Sequence, residues 1–467
     1  MLKIVLTGGP CAGKTQILSK LTQVLEGRGY KVITVPEAAT HLILNGICPS
    51  ASISMDDFQN FVIDAQIANE KVFEAAAKYY DESKVIFFYD RGIVDGCAYA
   101  DKDTVFAKLL SDRNMTFADA YNRYDAVLHL VTAANGAEKF YQWNDPNSTD
   151  VGNNAARSES PEEARIKDEK TLNAWIGHPH LRVFDNSTDF DGKTQRVIAE
   201  VFALLGEPTP SEIERKFLIR KPTAAQLAFH GCISKTNIIQ TYLKSDGRST
   251  ERRIRQRGTN ESGYTYFYTE KTDVADGIRI ENERKITPEE YLQLLTEADT
   301  SLHQISKIRH CFVYRNQYFE LDIYPFSDEY AILEIELNDI NEPISYPLMS
   351  IIEEVTNNKA FRNVELARTL SFDYEEKSDF SHILGMCGRG KSPFVNVPPE
   401  EWTYETGKTT PEILGSGGKK QNVVRTKNEE EAFRLFKEDG RNYLTREREW
   451  MFQIHTQWYD EERDRWF

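Results

Sequence analysis

An α/β domain with a parallel sheet, followed by an antiparallel β domain and a mixed C-terminal extension, is the fold class that this 467-residue sequence predicts. Three observations carry it. Short apolar runs alternate with helical patterns up to about residue 206, a Pro-containing linker breaks that rhythm, and strands of alternating polarity then follow in close succession. Strands alternating with helices argue for a parallel sheet covered on both faces. Closely spaced strands separated by turn signals argue for a barrel or a sandwich.

In chain order, Lys3–Thr7 reads as a short apolar strand, and Thr15–Glu26 has helical spacing through Ile17, Leu18, Leu21, Val24 and Leu25. Lys31–Val35 is a second strand. Asp56–Tyr80 is a long helix with Asp56 or Ser54 as its cap. Val85–Tyr89, Asp125–Val131 and Leu181–Phe184 are further strands, and Gly206-Glu207-Pro208-Thr209-Pro210-Ser211 is the linker. Beyond it the candidate strands are Glu212–Arg220, Asn237–Leu243, Thr250–Arg257, Tyr264–Lys271, Ile278–Lys285, Lys307–Tyr314, Gln317–Tyr324 and Ala331–Leu337. Ser392–Lys420 reads as loop, and Glu429–Lys437 and Tyr443–Asp464 as helices. The domains expected are 1–206, 211–370 and a C-terminal extension over 371–467.

Composition narrows the function classes. The net charge of −16 disfavours an extended nucleic-acid or anionic-membrane surface. No apolar run reaches the roughly 20 residues that span a bilayer. The 6 cysteines are scattered and form neither a CxxC nor a zinc pattern, so a reducing, cytoplasmic compartment is expected.

Gly8-Gly9-Pro10-Cys11-Ala12-Gly13-Lys14-Thr15 fits the P-loop pattern G-x-x-x-x-G-K-[ST], after a strand and at the opening of a helix. Its backbone N–H groups turn toward phosphates, Lys14 offers a charge to the β- and γ-phosphates, and Thr15 a hydroxyl to Mg²⁺. A bound ATP or GTP is therefore expected. Asp90, at the end of a buried strand, is placed to hold the metal shell or to take a proton from a substrate hydroxyl. Asp95 follows it. Glu37 reads either as a ligand-edge acid or as an acid that complements a helix dipole. Arg157 and Arg165 flank a polar stretch that reads as a mobile lid reaching the transferred phosphate, or as a solvated helix with ion pairs.

The Gly-Gly-Pro-x-x-Gly-Lys-Thr loop, Pro36-Glu37 after the second strand and Asp90-Arg91-Gly92 after the third make residues 1–206 resemble small-molecule and nucleotide kinases of the P-loop class. The likeness is greatest to the ATPase group related to nicotinamide riboside kinase. It implies nucleotide binding and leaves the acceptor open.

Alternating charge marks the second domain. Glu212, Glu214 and Lys216 share one strand face, as do Arg253 with Arg255 and Glu334 with Glu336. Lys271, Lys307, Arg309 and Asp322 extend the pattern. Charges at such spacing read as a solvated face or as the lining of a wet cavity. Carboxylates suit Mg²⁺ or Mn²⁺, and Arg and Lys suit phosphate oxygens, so acids on one side and bases on another describe a channel for a triphosphate with its metal.

The Glu-x-Glu-x-Lys at Glu212, Glu214 and Lys216, the later Arg-x-Arg, the following Lys and the closing Glu-x-Glu make residues 211–365 resemble the CYTH, or triphosphate tunnel metalloenzyme, superfamily. The resemblance implies an eight-stranded antiparallel tunnel that hydrolyses triphosphate or pyrophosphate compounds with a divalent metal. Glu212, Glu214, Asp322, Glu334 and Glu336 would bind metal and position water. Lys216, Arg253, Arg255, Lys271, Lys307 and Arg309 would grip phosphates.

Trp450, Phe452, Trp458, Trp466 and Phe467 make the tail aromatic, which reads either as a helix packed on the tunnel domain or as a face that docks a protein partner. The function expected is thus a bifunctional phosphate enzyme, with nucleotides and phosphoanhydrides as its small-molecule partners. Two alternatives stand beside it: the P-loop domain senses nucleotide and regulates, or the tunnel binds a polyphosphate without turnover.

Overall fold

A computed structural model describes residues 1–141, 159–206, 213–231, 233–245, 251–275, 278–337 and 342–374, with short strand segments between 409 and 466. Five parallel strands, β1 (Leu2–Gly8), β2 (Lys31–Val35), β3 (Val85–Asp90), β4 (Ala126–Leu130) and β5 (Leu181–Phe184), pair in the order β2-β3-β1-β4-β5. Between them run the helices α1 (Lys14–Gly27), α2 (Ala38–Leu44), α3 (Met55–Ala77), α4 (Ala107–Ser111), α5 (Phe117–Asn122) and α6 (Pro161–Trp175), and α7 (Phe190–Leu204) follows β5. Every residue of β4 is buried, as a doubly covered sheet requires. Ile4, Leu6, Ile86, Phe88 and Leu128 of the sheet pack with Ile17 and Leu21 of α1 and Val197 of α7. The predicted cap of α3 is Ser54, whose side chain accepts the Asp57 N–H. Ser160 and Glu163 form a capping box with Pro161 at the start of α6, so the segment read as a lid or a solvated helix is helical from residue 161 onward.

An antiparallel sheet of nine strands occupies the second half: β6 (Ile213–Arg220), β7 (Ile233–Tyr242), β8 (Glu251–Thr259), β9 (Gly263–Ala275), β10 (Ile278–Ile286), β11 (Ile305–Tyr314), β12 (Gln317–Ile323), β13 (Tyr330–Leu337) and β14 (Ile351–Glu354). Their order is β10-β9-β8-β7-β11-β12-β13-β6-β14. Eight match the strands read from the sequence. The ninth, β14, is a four-residue strand that joins the edge of β6 through a register irregularity. Ile-Ile-Glu-Glu has no alternation to announce it, and only the open edge of β6 selects it.

Two compact units make up the chain. One comprises Met1–Glu212, Thr236–Asp299 and Asn338–Ile340, and the other Ile213–Lys235, Thr300–Leu337 and Asn341–Phe467. In the C-terminal extension, Thr409–Ile413, Lys420–Thr426 and Tyr443–Thr445 form a small sheet, and Tyr459–Asp460 pairs with Arg465–Trp466. The expected helix over Tyr443–Asp464 is thereby corrected at both strand segments, where Tyr and Thr favour extended pairing over helix. Trp450, Phe452, Trp458, Phe467 and the expected helix over Glu429–Lys437 lie outside the described residues. Among the described residues no helix is long and apolar enough to cross a membrane.

Candidate functional site

The P-loop connects β1 to α1, and neighbouring strands bring the other N-terminal candidates to the same edge. Asp90 stands beside Leu6 in register, and Glu37 follows β2 on the far side of β3. Gly13 caps α1 with φ of 85°, and a Cβ there would lie 2.5 Å from the Phe190 ring, so only glycine fits. Lys14 Nζ is 3.9 Å from Asp90 Oδ1. That oxygen is buried and has no hydrogen-bond partner among the described residues. Burial raises the Asp90 carboxyl above its ordinary range against the pull of Lys14. Burial lowers Lys14, and the Arg91 guanidinium adds to the drop. A buried carboxylate oxygen left open beside a lysine fits a cation held with nucleotide phosphates.

Glu37 accepts from Arg91 Nε at 2.6 Å and from Thr40 Oγ1 at 2.8 Å. Burial works to raise its carboxyl, but Arg91 and then Lys14 outweigh it and hold it low. Asp95 ties the turn together: it accepts from the Thr7 hydroxyl and from Gly92 N–H at 2.7 Å, and lies 3.5 Å from Arg91 Nη1. Arg165 donates to Ala134 O at 2.7 Å and Glu162 Oε2 at 3.0 Å. Arg157 lies outside the described residues.

Sequence reasoning missed Asp168. From α6 this buried acid accepts the Gly9 N–H of the P-loop at 2.6 Å, and His129 Nε2 of β4 lies 3.2 Å from the same oxygen. Burial works to raise its carboxyl, but His129 leads the groups that outweigh it, and the net shift is downward. Nothing local distinguishes Asp168 from the other charges of a polar helix, and its partner is 159 residues away.

In the second unit, register assembles a charged face. Glu334 stands opposite Lys216 and Glu336 opposite Glu214, while Arg309 opposes Asp322 and Glu320 opposes Glu334. Lys216 Nζ lies 2.6 Å from Glu334 and 2.9 Å from Glu214. Arg309 donates to Asp322 at 2.7 and 2.6 Å, to Glu334 at 2.7 Å and to Glu320, and Lys307 pairs with Asp322. Phe217, Ile219, Phe312, Phe319, Leu333 and Ile335 form an apolar cluster on the opposite face, so the charges lie on the side away from that core.

Acids and bases here interleave rather than separate. Burial works against Lys216 and Arg309, but the flanking carboxylates outweigh it and keep both firmly charged. Glu334 is held well below its ordinary range because Lys216, Arg309 and Lys307 outweigh its burial. Glu214 is raised by burial, with Lys216 opposing and Glu334 and Glu336 adding to the rise. Glu320, two residues before Asp322 and on its face, was not anticipated; its pairing with Arg309 forms only once β12 lies beside β11. Glu212 lies outside the described residues. Among the described residues, no group of three or more His, Cys, Asp or Glu stands ready to hold a metal. The crowding of Glu214 with Glu334 and Glu336 nonetheless fits a cation that would relieve like-charge repulsion.

In the first unit, β8 to β10 carry a basic face. Arg253 opposes Tyr242 and Thr269, Arg255 opposes Gln240 and Phe267, and Lys271 opposes Glu251 and Glu281. Arg255 is 3.8 Å from Glu283, and Arg253 is 3.8 Å from Glu251. Although burial opposes it, Arg255 and then Arg253 hold Glu283 down at about 2. Arg257 and Lys285, which share this face, were not anticipated as part of it.

Comparison with known proteins gives two family matches, the second of which spans strands of both compact units. The AAA domain family matches residues 3–193 and the CYTH domain family matches residues 210–348. A solved structure titled an inorganic triphosphatase, NE1496, is 27% identical, covering 34% of this chain and 95% of that one, with a TM-score of 0.25. A second structure, titled the hypothetical protein NE1496, has the same identity and TM-score and is covered to 99%. No curated protein matches the chain.

Proposed function

We propose that this chain, which joins an AAA-type P-loop domain to a CYTH domain, is a bifunctional phosphate enzyme. Its CYTH domain hydrolyses a tripolyphosphate, a pyrophosphate or a nucleoside triphosphate. Its P-loop domain binds ATP or GTP with Mg²⁺ and transfers the γ-phosphoryl group to a small hydroxyl acceptor. The observation that carries the hydrolytic reading is the register of Glu214 and Lys216 against Glu336 and Glu334, beside Arg309.

In this reading Lys216, Lys307 and Arg309, with Arg253, Arg255 and Lys271, hold the phosphate oxygens. Glu214, Glu334, Glu336 and Asp322, with Glu212, would hold Mg²⁺ or Mn²⁺, which supplies charge neutralisation at the phosphates and polarises a water. Glu214, which stands opposite Glu336 in register, is the group to accept the water proton. The water oxygen bonds to the terminal phosphorus, the phosphoanhydride P–O bond breaks, and tripolyphosphate yields phosphate and pyrophosphate. In the P-loop domain Lys14 positions the γ-phosphate, and Asp90, whose Oδ1 is open, would either hold the metal shell or accept the acceptor hydroxyl's proton. Thr15, and Asp90 in the first of these roles, would hold the Mg²⁺ shell, with Arg165 and Arg157 toward the transferred phosphate. A cytoplasmic setting suits the free cysteines Cys48 and Cys97.

Turnover of ATP, tripolyphosphate and pyrophosphate with Mg²⁺ or Mn²⁺ tests both sites. Glu214→Ala is expected to lower tripolyphosphate hydrolysis by about 10²-fold or more. Lys14→Ala is expected to abolish P-loop nucleotide binding while leaving that hydrolysis intact. If tripolyphosphate turnover ignores Glu214→Ala in a folded variant, the hydrolytic reading is wrong.

A further inference from the structure

The basic strand face and the nucleotide-site turn are connected within one compact unit. Gly92 closes Asp90-Arg91-Gly92, and a Cβ there would lie 2.8 Å from Trp175 Cζ2 and 3.0 Å from Tyr124 Cε2. The two rings, 5.7 Å apart and edge to face, therefore clamp this glycine. The Tyr124 hydroxyl accepts the Ile93 N–H at 2.9 Å and donates to Glu70 at 2.7 Å. Gln66 donates to Glu70 at 3.0 Å and to Arg91 O at 3.4 Å, which ties the same network to the middle of the turn.

Both clamping rings sit on backbone that the basic face grips. Lys285 Nζ donates to the carbonyl oxygens of Asn122 and Tyr124, each at 2.9 Å. Arg257 Nη2 donates to Gly177 O at 2.7 Å, two residues beyond Trp175. Lys285 and Arg255 both stand opposite Phe267 in register, and Arg257 is on the same face as Arg255. A polyanion seated on Arg253 and Arg255 would thus compete with these carbonyl oxygens, and with the Asp125 carboxylate at 3.5 Å, for the ammonium of Lys285, and with the Gly177 carbonyl for the guanidinium of Arg257. Asp125 holds Lys285 at the limit of hydrogen-bond distance, and a multiply charged phosphate at a shorter distance makes the stronger hydrogen bond, so the carbonyls lose.

We propose that polyphosphate bound on the Arg253–Arg255 face draws Lys285 and Arg257 off the Tyr124 and Gly177 carbonyls and loosens the clamp on Gly92. The two phosphate sites are then negatively coupled. This rests on the reading that Arg255 binds phosphate. Tyr124 and Trp175 act as positioning residues through the Asp90–Ile93 turn. By linkage, nucleotide binding that orders this turn weakens polyphosphate binding by the same factor.

Hydrogen exchange of the Ile93 amide in the full chain tests this, with tripolyphosphate and Mg²⁺ as the probe. A Lys14→Ala background keeps the P-loop from answering directly. Exchange is expected to speed up by about fivefold or more on tripolyphosphate addition, the lower end of ordinary coupling factors. In Tyr124→Phe, which lacks the hydroxyl that accepts the amide, exchange is expected to be fast from the outset and indifferent to tripolyphosphate, with binding retained. Calorimetric binding that is weakened in Arg255→Ala, together with unchanged or slower Ile93 exchange in the parent, overturns the coupling and leaves the functional reading standing. Absence of tripolyphosphate binding in the parent protein sinks that reading, and the coupling with it.

Discussion

The two halves of the antiparallel sheet carry charge in different ways. On the face of β6 and β11 to β13, carboxylates (Glu214, Glu320, Asp322, Glu334, Glu336) outnumber bases (Lys216, Lys307, Arg309), and the bases are bound up in short ion pairs. On the face of β8 to β10 the balance reverses: Arg253, Arg255, Arg257, Lys271 and Lys285 outnumber the described carboxylates Glu251 and Glu283. The first arrangement stabilises buried charge internally. The second leaves excess positive charge for an anion.

The largest effect should come from breaking the interleaved half. Arg309→Met removes the partner of three carboxylates, two of which, Asp322 and Glu334, are buried. Breaking such a pair leaves uncompensated charge and costs about 3–5 kcal/mol. Urea denaturation is expected to show that loss, and a change below about 1 kcal/mol would mean that the network adds little.

Acid should separate the halves next. Glu283 falls from an ordinary 4.5 to about 2 because Arg255 and Arg253 overcome its burial, so its stabilisation is fully present above about pH 4.5 and is lost as pH falls toward 2. In the other half, His230 is buried against Phe312 and Tyr314 with no hydrogen-bond partner among the described residues, and burial lowers it to about 4. Its contribution is present above about pH 6.5 and is lost as pH falls through 4. His230→Phe should therefore flatten the stability profile between pH 6.5 and 4 while leaving the lower-pH loss that belongs to Glu283. If chemical denaturation across that range gives superimposable profiles for the two proteins, His230 is not the acid-labile group.

The smallest expected effect sharpens the contrast most. Arg255→Ala should weaken tripolyphosphate binding by about tenfold, as loss of one charge-assisted contact does, yet cost less stability than Arg309→Met because its pair with Glu283 is long, at 3.8 Å. Calorimetry and denaturation on the same preparations check both parts. Equal stability losses for the two variants would erase the distinction between an anion-binding half and a self-neutralised one.

Much of this was legible in the chain because the signals are local. The P-loop needs only glycines, Lys14 and Thr15 in a short run between a strand and a helix. The period of two in Glu214-Arg215-Lys216 and Glu334-Ile335-Glu336 fixes which side chains share a face whatever their partners. Composition and periodicity thus determined the two fold classes, eight of the nine strands in the second sheet and most candidate charges. Tertiary structure alone decided the rest. Register paired Lys216 with Glu334 and made Glu320 part of the network. Packing set Asp168 against Gly9, and clamped Gly92 between Tyr124 and Trp175 beneath carbonyls held by Lys285 and Arg257. These contacts join residues far apart in sequence, and their strength comes from burial and mutual orientation, which no window of sequence contains.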